Sequence, residues 1–248
     1  MKKVLITLCI ACMAISAYAV EIPKQGFGVQ IGWAQPILRL NDPSSIYPKD
    51  SLVNTTKLNG FKVGVVYDAS YIAGFGSSMG INYTFAAGST PWKAKGIYGD
   101  YPRSRTSVMY HEMEVFVDWQ YKFELAKETY IVLYTGPSIQ CGITFNERNT
   151  TETIDLVNGG ITATHNDYNR YGTERSNEDL TRLNVTWGLG AGFQYKQYFL
   201  RGGYDFGILN PYKNAQFVNA LGQTSDRYTR GRLDQWSIKV GMYLWYEK

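Results

Sequence analysis

The chain has 248 residues, 44% of them hydrophobic and 15% aromatic, with 25 basic and 21 acidic side chains. Lys2 and Lys3, an apolar run over 4–15 and the small residues Ala17 and Ala19 have the layout of a secretory signal peptide spanning 1–19, which leaves one domain over 20–248. Without those two lysines 23 basic residues face 21 acidic ones, a near balance that excludes nucleic acid as a class of partner.

Of three cysteines, Cys9 and Cys12 fall within the signal, so Cys141 alone remains and an internal disulfide is excluded. A rival reading of the leader takes "IAC" as a lipidation signal at Cys12, although Cys9 stands where that signal expects Leu. One cysteine with His111 and His165 does not make a metal site, and no cofactor is expected. After Ala19 no apolar run approaches the roughly 20 residues of a spanning helix. The 20 Tyr, 11 Phe, 6 Trp and 25 Gly against 8 Pro point instead to many strands and tight turns.

Alternation with period two predicts eight strands. "GFGVQIGWA" sets Phe27, Val29, Ile31 and Trp33 on one face, and "GFKVGVVYD" does so with Phe61, Val63, Val65 and Tyr67, leaving Lys62 opposite. "SMGINYTFA" opposes Met79, Ile81, Tyr83 and Phe85 to Gly80, Asn82 and Thr84. "EMEVFVDWQY" alternates Met113, Val115, Val117, Trp119 and Tyr121 with Glu112, Glu114, Phe116, Asp118 and Gln120. "TYIVLYTGPSIQCGITF" puts Ile131, Leu133, Ile139, Cys141, Ile143 and Phe145 on one face, with a bulge or kink expected at Pro137. "LNVTWGLGAGFQY" faces Leu183, Val185, Trp187, Leu189, Ala191, Phe193 and Tyr195 one way and a glycine-rich row the other. "YFLRGGYDFGIL" opposes Leu200, Tyr204, Phe206 and Ile208 to Arg201, Gly203, Asp205 and Gly207. The closing "DQWSIKVGMYLWYEK" carries Trp236, Ile238, Val240, Met242, Leu244 and Tyr246 on its apolar face, with Ser237, Lys239, Gly241, Tyr243 and Trp245 opposite.

The connections alternate long and short: 35–59, 87–107, 146–182 and 210–233 are long, whereas 69–72, 122–128 and 196–197 are short. Short turns at one end and long polar loops at the other are the layout of an up-and-down outer-membrane barrel, with both termini periplasmic and the loops extracellular. A soluble sandwich or lipocalin-like barrel also alternates. It would carry many long charged side chains on its polar face, which here holds glycine, small residues and few charges. Aromatic residues gather near the short turns (Phe27, Tyr67, Trp119, Tyr121, Tyr195, Tyr198, Tyr246) and near the loops (Trp33, Phe61, Tyr83, Phe85, Phe145, Phe206, Trp236), as two interfacial girdles would require.

The expected fold is therefore all-β, a transmembrane eight-stranded antiparallel meander barrel. The glycine-rich strands "WGLGAGFQYK" and "FLRGGYDFG" and the closing strand resemble the OmpA/OmpX-like barrel superfamily, and most closely the PorT-like outer-membrane barrels of Bacteroidetes. The expected function is a structural or surface-interaction barrel that displays its loops for binding or adhesion; the PorT-like resemblance implies the alternative, a narrow transporter or a component of a secretion machine. Asp50, Ser51 and Leu52 resemble the short O-glycosylation motif of Bacteroidetes secreted proteins. The expected partners are outer-membrane lipid, the outer-membrane assembly machinery that reads the closing strand, and an extracellular ligand or envelope protein held by the loops.

Two groups could carry chemistry. Lys62, Glu112, Glu114, Asp118, Arg201, Asp205 and Lys239 all point to the lumen, where an eight-stranded interior is filled by side chains and charges must pair. A filled lumen without a continuous pore is expected. His111 falls in the lipid-facing register near the loops, where barrel enzymes that modify lipid A place a histidine and a serine. The position two residues on is Met113, Ser107 lies four residues before, and no acid partner is identifiable, so no catalytic residue is assigned. The first long loop, the more apolar one, is expected to fold over the mouth.

Overall fold

The computed structural model describes residues 25–40, 55–98, 101–154, 160–172, 180–212, 215–218, 224–227 and 231–247. The leader over 1–19, with Cys12, and the tripeptide Asp50, Ser51 and Leu52 lie outside the described residues. The regular elements described are all strands: β1 (Gln25–Leu40), β2 (Thr55–Lys57), β3 (Asn59–Ile72), β4 (Phe75–Ser89), β5 (Lys93–Tyr98), β6 (Tyr101–Ala126), β7 (Thr129–Ile154), β8 (Ile161–Asn169), β9 (Leu183–Tyr195), β10 (Tyr198–Gly207), β11 (Ala215–Val218), β12 (Thr224–Arg227) and β13 (Gly231–Glu247).

Eight of them, β1, β3, β4, β6, β7, β9, β10 and β13, pair antiparallel in chain order, and β13 pairs back onto β1. The sheet closes on itself, which leaves the ring without an edge strand. At one end the strands turn through two residues each: Ala73 and Gly74, Lys127 and Glu128, Lys196 and Gln197. Ala73 (φ 46°) and Gly74 (φ 84°) are both left-handed, the geometry that matches strand twist in a tight hairpin and that glycine adopts without strain. Gln25 pairs with Glu247 at this same end, so the barrel seam starts there.

At the other end the strands run on past the ring. β6 and β7 each have 26 residues, against the roughly 9–11 that a membrane-crossing strand uses. Their upper halves, flanked by β5 and β8, form a four-stranded sheet that stands above the barrel like a blade. Much of what reads as long loop in the sequence is therefore strand, because pairing satisfies backbone groups that an isolated loop would leave to water.

Strict alternation is broken by a bulge in β7 and a second shift in β13, and not at Pro137. Glu112 pairs with Gly142 but His111 pairs with Thr144, so Ile143 is the extra residue of a bulge. Above it the face of β7 inverts and Phe145 turns inward, 1% exposed, instead of joining the outer girdle. Pro137 causes no register shift: Phe116 opposite Ser138 and Trp119 opposite Thr135 share one register, and the ladder merely lacks the two pairs between them. In β13 a second shift sets Phe27 against Trp245 but Gly28 against Tyr243. Tyr243 stays inside at 3% exposed, whereas Leu244 and Trp245 both face outward at 58% and 52%, so Trp245 is not a lumen residue. The side chain of Tyr246 lies outside the described residues.

Apolar and polar residues are distributed the reverse of a soluble protein. Ile31, Leu189, Ile238 and Val240 are among the exposed exterior residues, whereas Lys62, Glu112 and Arg201 are 1–2% exposed inside. On β13 the apolar band runs from Trp236 to Trp245. Nine steps of about 3.3 Å tilted by about 40° give roughly 23 Å of height, the thickness of a lipid-facing band on an outer-membrane barrel.

Candidate functional site

The interior is built in three layers. Nearest the tight turns, Arg201 on β10 donates from Nη2 to Asp68 Oδ2 (2.7 Å) and from Nη1 to Ser78 Oγ (2.7 Å). Its Nη2 also reaches Tyr243 Oη at 3.1 Å and Gln120 Oε1 at 3.3 Å. Lys122 Nζ adds a second cation 3.3 Å from Asp68 Oδ2, and Tyr243 Oη donates to the same oxygen. One carboxylate is thus shared by two cations and a phenol, with Phe199 packed beneath the guanidinium.

In the middle layer Glu114 accepts from Lys62 Nζ (2.9 Å), Asn82 Nδ2 (2.7 Å) and Ser138 Oγ (3.2 Å). Lys62 also donates to Gln235, whose Nε2 passes the chain on to Glu112 Oε1 at 2.8 Å. Glu112 is held on its other oxygen by Tyr110 Oη. Lys239 Nζ lies 5.2 Å from the Phe116 ring centroid, and among the described residues Lys239, Asp118 and Asp205 make no direct hydrogen bond. Asp205 lies across Gly188, close enough that a Cβ there would meet Oδ1 at 2.7 Å.

The seven lumen charges therefore split. Lys62, Glu114 and Glu112 form one connected chain, while Arg201 turns away from β6 carboxylates to Asp68. Asp68 and Lys122 are interior charges that the strand reading omitted. The signal for them was present: continuing the inward parity of Lys62 reaches Asp68, and continuing that of Gln120 reaches Lys122. Asp68 closes the expected strand "GFKVGVVYD" without being counted among the lumen charges, and Lys122 falls in the expected turn 122–128 because β6 runs further than the apolar pattern does.

The third layer is an apolar cap. Tyr171 and Leu180 from the third long connection and Tyr212 from the fourth are buried with Leu38, Leu58, Tyr110, Phe145 and Leu233. Phe145 meets Tyr171 edge-on at 6.2 Å and Tyr110 at 5.5 Å. Backbone bonds fix the two connections to each other and to the barrel: Leu180 N to Arg170 O, Thr181 N to Pro211 O and Gly142 N to Arg182 O, each 2.7 Å. The first loop, expected to cover the mouth, contributes Leu58; residues 41–54 lie outside the described part.

On the exterior, His111 joins an aromatic cluster: its Nδ1 bonds Tyr83 Oη, and Phe85 meets its ring at 4.8 Å. Ser107 is four residues away, about 13 Å along a strand, too far for a proton transfer. Asp234 is fully buried at the loop-side rim, paired with Arg39 (2.9 Å) and Arg232 (2.9 Å) and bonded by Tyr204 Oη (2.7 Å). On the blade, Arg148 grips Asp167 through two bonds of 2.6 and 2.9 Å; that hydrogen bonding holds the Asp167 carboxyl below the usual carboxylate range. Among the described residues no group of three metal-ligating side chains occurs.

No protein-family model matches the chain, and no curated protein matches it in sequence. Solved structures do. The attachment invasion locus protein Ail of Yersinia pestis, solved with the heparin analogue sucrose octasulfate, is 9% identical at a TM-score of 0.39, covering 88% of this chain and 98% of its own. Neisserial surface protein A is 13% identical at 0.39, covering 88% and 97%. The N-terminal β-barrel domain of Pseudomonas aeruginosa OprF is 8% identical at 0.28, covering 89% and 100%. These are likenesses of general architecture; the closed ring rests on its own ladder of hydrogen bonds.

Proposed function

We propose that the protein is a non-catalytic outer-membrane barrel whose lumen is sealed and whose blade and long connections act outside the cell as an interaction surface. The observation that carries this reading is the inverted distribution of residues: an apolar exterior band about as high as a bilayer interior, around a core of paired charges. The tight turns and both ends of the described ring would then face the periplasm, and the blade the medium. Trp236, Ile238, Val240, Met242 and Leu244 would lie against lipid, and β13 would be the strand that the assembly machinery reads. A narrow transporter or a secretion component, the alternative that the sequence resemblance raises, would require the apolar cap and two bonded layers to move together.

The test is twofold. Purified protein is expected to migrate differently on gels before and after boiling, as closed barrels do. Protease or an impermeant label applied to intact cells is expected to reach the β7–β8 hairpin but not the tight turns. Labelling at Lys127 or Lys196 on intact cells would reverse the orientation, and loss of the mobility shift would remove the membrane reading.

A further inference from the structure

A pocket of about 760 Å³ opens at the foot of the blade, lined by Ser89 at the end of β4, Arg105, Ser107 and Met109 on β6, and Asn146 and Asn169 on β7 and β8. The register fixes its place. Met109 pairs with Ala87 and Asn146, and Ser107 with Ser89 and Arg148, all on the outward face of the sheet. Met113 and His111 lie directly below on the same face of β6. Ser107 is four residues above His111, about 13 Å along the strand and roughly 10 Å in height at a tilt near 40°. Given the membrane placement proposed above, the pocket sits at the headgroup layer of the outer leaflet, just beyond the upper aromatic girdle.

Its charge is unbalanced. Arg148 is bound to Asp167 and Glu147 accepts from Arg170, so these charges cancel in pairs. Arg103, one outward position higher, is bound to Glu152. Arg105 has no carboxylate partner among the described residues, and its Nε is buried with no hydrogen-bond partner. Its guanidinium is not loose: it lies 5.2 Å from the Trp92 ring centroid, with Arg103 at 4.8 Å from the same ring. A guanidinium anchored over an indole is held in place while its Nη donors stay available to a planar or tetrahedral anion. Beside those paired charges and the apolar Met109, hydroxyls and amides from Ser89, Ser107, Asn146 and Asn169 line the pocket, side chains that recognise sugar hydroxyls, and the volume suits a disaccharide.

We propose that this pocket binds a phosphorylated saccharide, the headgroup of an outer-leaflet glycolipid, with Arg105 as the phosphate ligand and Trp92 as its positioning residue. The inference rests on the membrane reading for the source of the ligand, but the pocket itself does not depend on it. The test uses the full mature chain in detergent micelles, with diphosphorylated lipid A, its dephosphorylated counterpart and free glucosamine 1-phosphate as probes. Wild type is expected to prefer the diphosphorylated lipid. Arg105→Gln is expected to weaken that binding by about tenfold or more, the worth of a charge-assisted bond, while leaving the heat-modifiable mobility unchanged. Arg105→Lys should restore part of the affinity, and Trp92→Leu should reduce it with the charge intact. Glucosamine 1-phosphate binding that equals the lipid's and falls equally in Arg105→Gln would assign the site to a soluble phosphosugar, supporting the chemistry and changing the source. Equal binding of phosphorylated and dephosphorylated probes, or an Arg105→Gln variant that binds as wild type does, overturns the proposal. Failure to insert into liposomes would count against the membrane reading alone, since micelle binding reads the pocket separately.

Discussion

Arg201 and Asp68 meet across the floor of the barrel with Nη2 2.7 Å from Oδ2, both side chains at most 4% exposed. Each comes from a different side of the ring, β10 and β3, so the pair braces the barrel across its lumen. Deleting Asp68 leaves Arg201 and Lys122 buried without a carboxylate, at a cost of about 3–5 kcal/mol, whereas deleting Arg201 leaves Asp68 with Lys122 and Tyr243 and costs less. Asp68→Ala is expected to lower the unfolding free energy, read from urea titration in micelles, by that amount, and Arg201→Ala by less. Arg201→Ala combined with Asp68→Ala should cost less than the two single changes together, because the guanidinium is then not left without its carboxylate, although Lys122 still loses its partner. Additive losses would show that the two side chains act independently.

The cap and the two bonded layers lie one above another inside the ring, and the sealed lumen proposed above rests on all three. Purified protein in a planar bilayer is accordingly expected to show no large, steady conductance. Removing cap contacts with Leu180→Gly and Tyr212→Ala should loosen the cap, seen as faster hydrogen exchange at the Thr181 and Gly142 amides, yet still not open a pore, because Lys62, Glu114, Gln235 and Glu112 remain linked below. Stable openings in the double variant would mean that the cap alone is the barrier.

Asp167 supplies the pH dependence of the blade. Its carboxyl is held below the usual carboxylate value, first by the Arg148 hydrogen bonds, so the folded hairpin binds its proton less readily than the unfolded chain. The sign follows: this contribution is complete above about pH 4–5 and disappears as pH falls through and below the ordinary carboxylate range. Hydrogen exchange of β8 amides should accelerate on acidification while amides in β3 and β4 hold their protection. In Asp167→Asn that acid-dependent difference should be reduced. The pair is fully exposed, so salt should also weaken it.

The ring was legible because alternation is enforced by the boundary between lipid-like exterior and polar interior: a single slip would turn Ile31 or Val240 into the lumen. Features set by one residue in three dimensions were not. The bulge at Ile143, which turns Phe145 inward, and the shift that sends Trp245 out leave the same alternating letters as a regular strand. Pro137, the visible irregularity, causes no slip, since a missing donor removes a bond without adding a residue. Among the interior charges, Lys62, Glu112 and Glu114 share one linked chain. The partner of Arg201 was hidden because Asp68 lies where the apolar face of β3 has already ended. The cap was illegible for a further reason: Tyr171, Leu180 and Tyr212 are single apolar residues within polar loops, and only the fold brings them together.

His111 gives a direct check on the non-catalytic reading. Its Nδ1 is bonded to Tyr83 Oη, its ring packs against Phe85, and Ser107 is out of reach. His111→Ala is expected to leave the acylation pattern of lipid A unchanged in cells that express the protein, as read by mass spectrometry. A pattern that shifts on expression of wild type and reverts in His111→Ala would make the protein a lipid-modifying enzyme.

Tyr134 explains a glycine pattern that composition alone leaves open. Its ring, 7% exposed, lies flat against β9 and β10, where a Cβ on Gly190 would strike the phenol and one on Gly203 would come within 2.7 Å of Oη. Glycine at these two positions admits the tyrosine, and the tyrosine fills the space that glycine leaves. Gly190→Val should therefore overpack the wall and lower stability by about 1–3 kcal/mol. Tyr134→Leu alone should also destabilise, through the cavity it opens between the layers. The double variant Gly190→Val with Tyr134→Leu is expected to be more stable than the sum of the two predicts, because the new methyl groups occupy the volume the phenol vacates. Additivity in that double-mutant cycle would mean that strand conformation, and not the Tyr134 ring, demands glycine at Gly190.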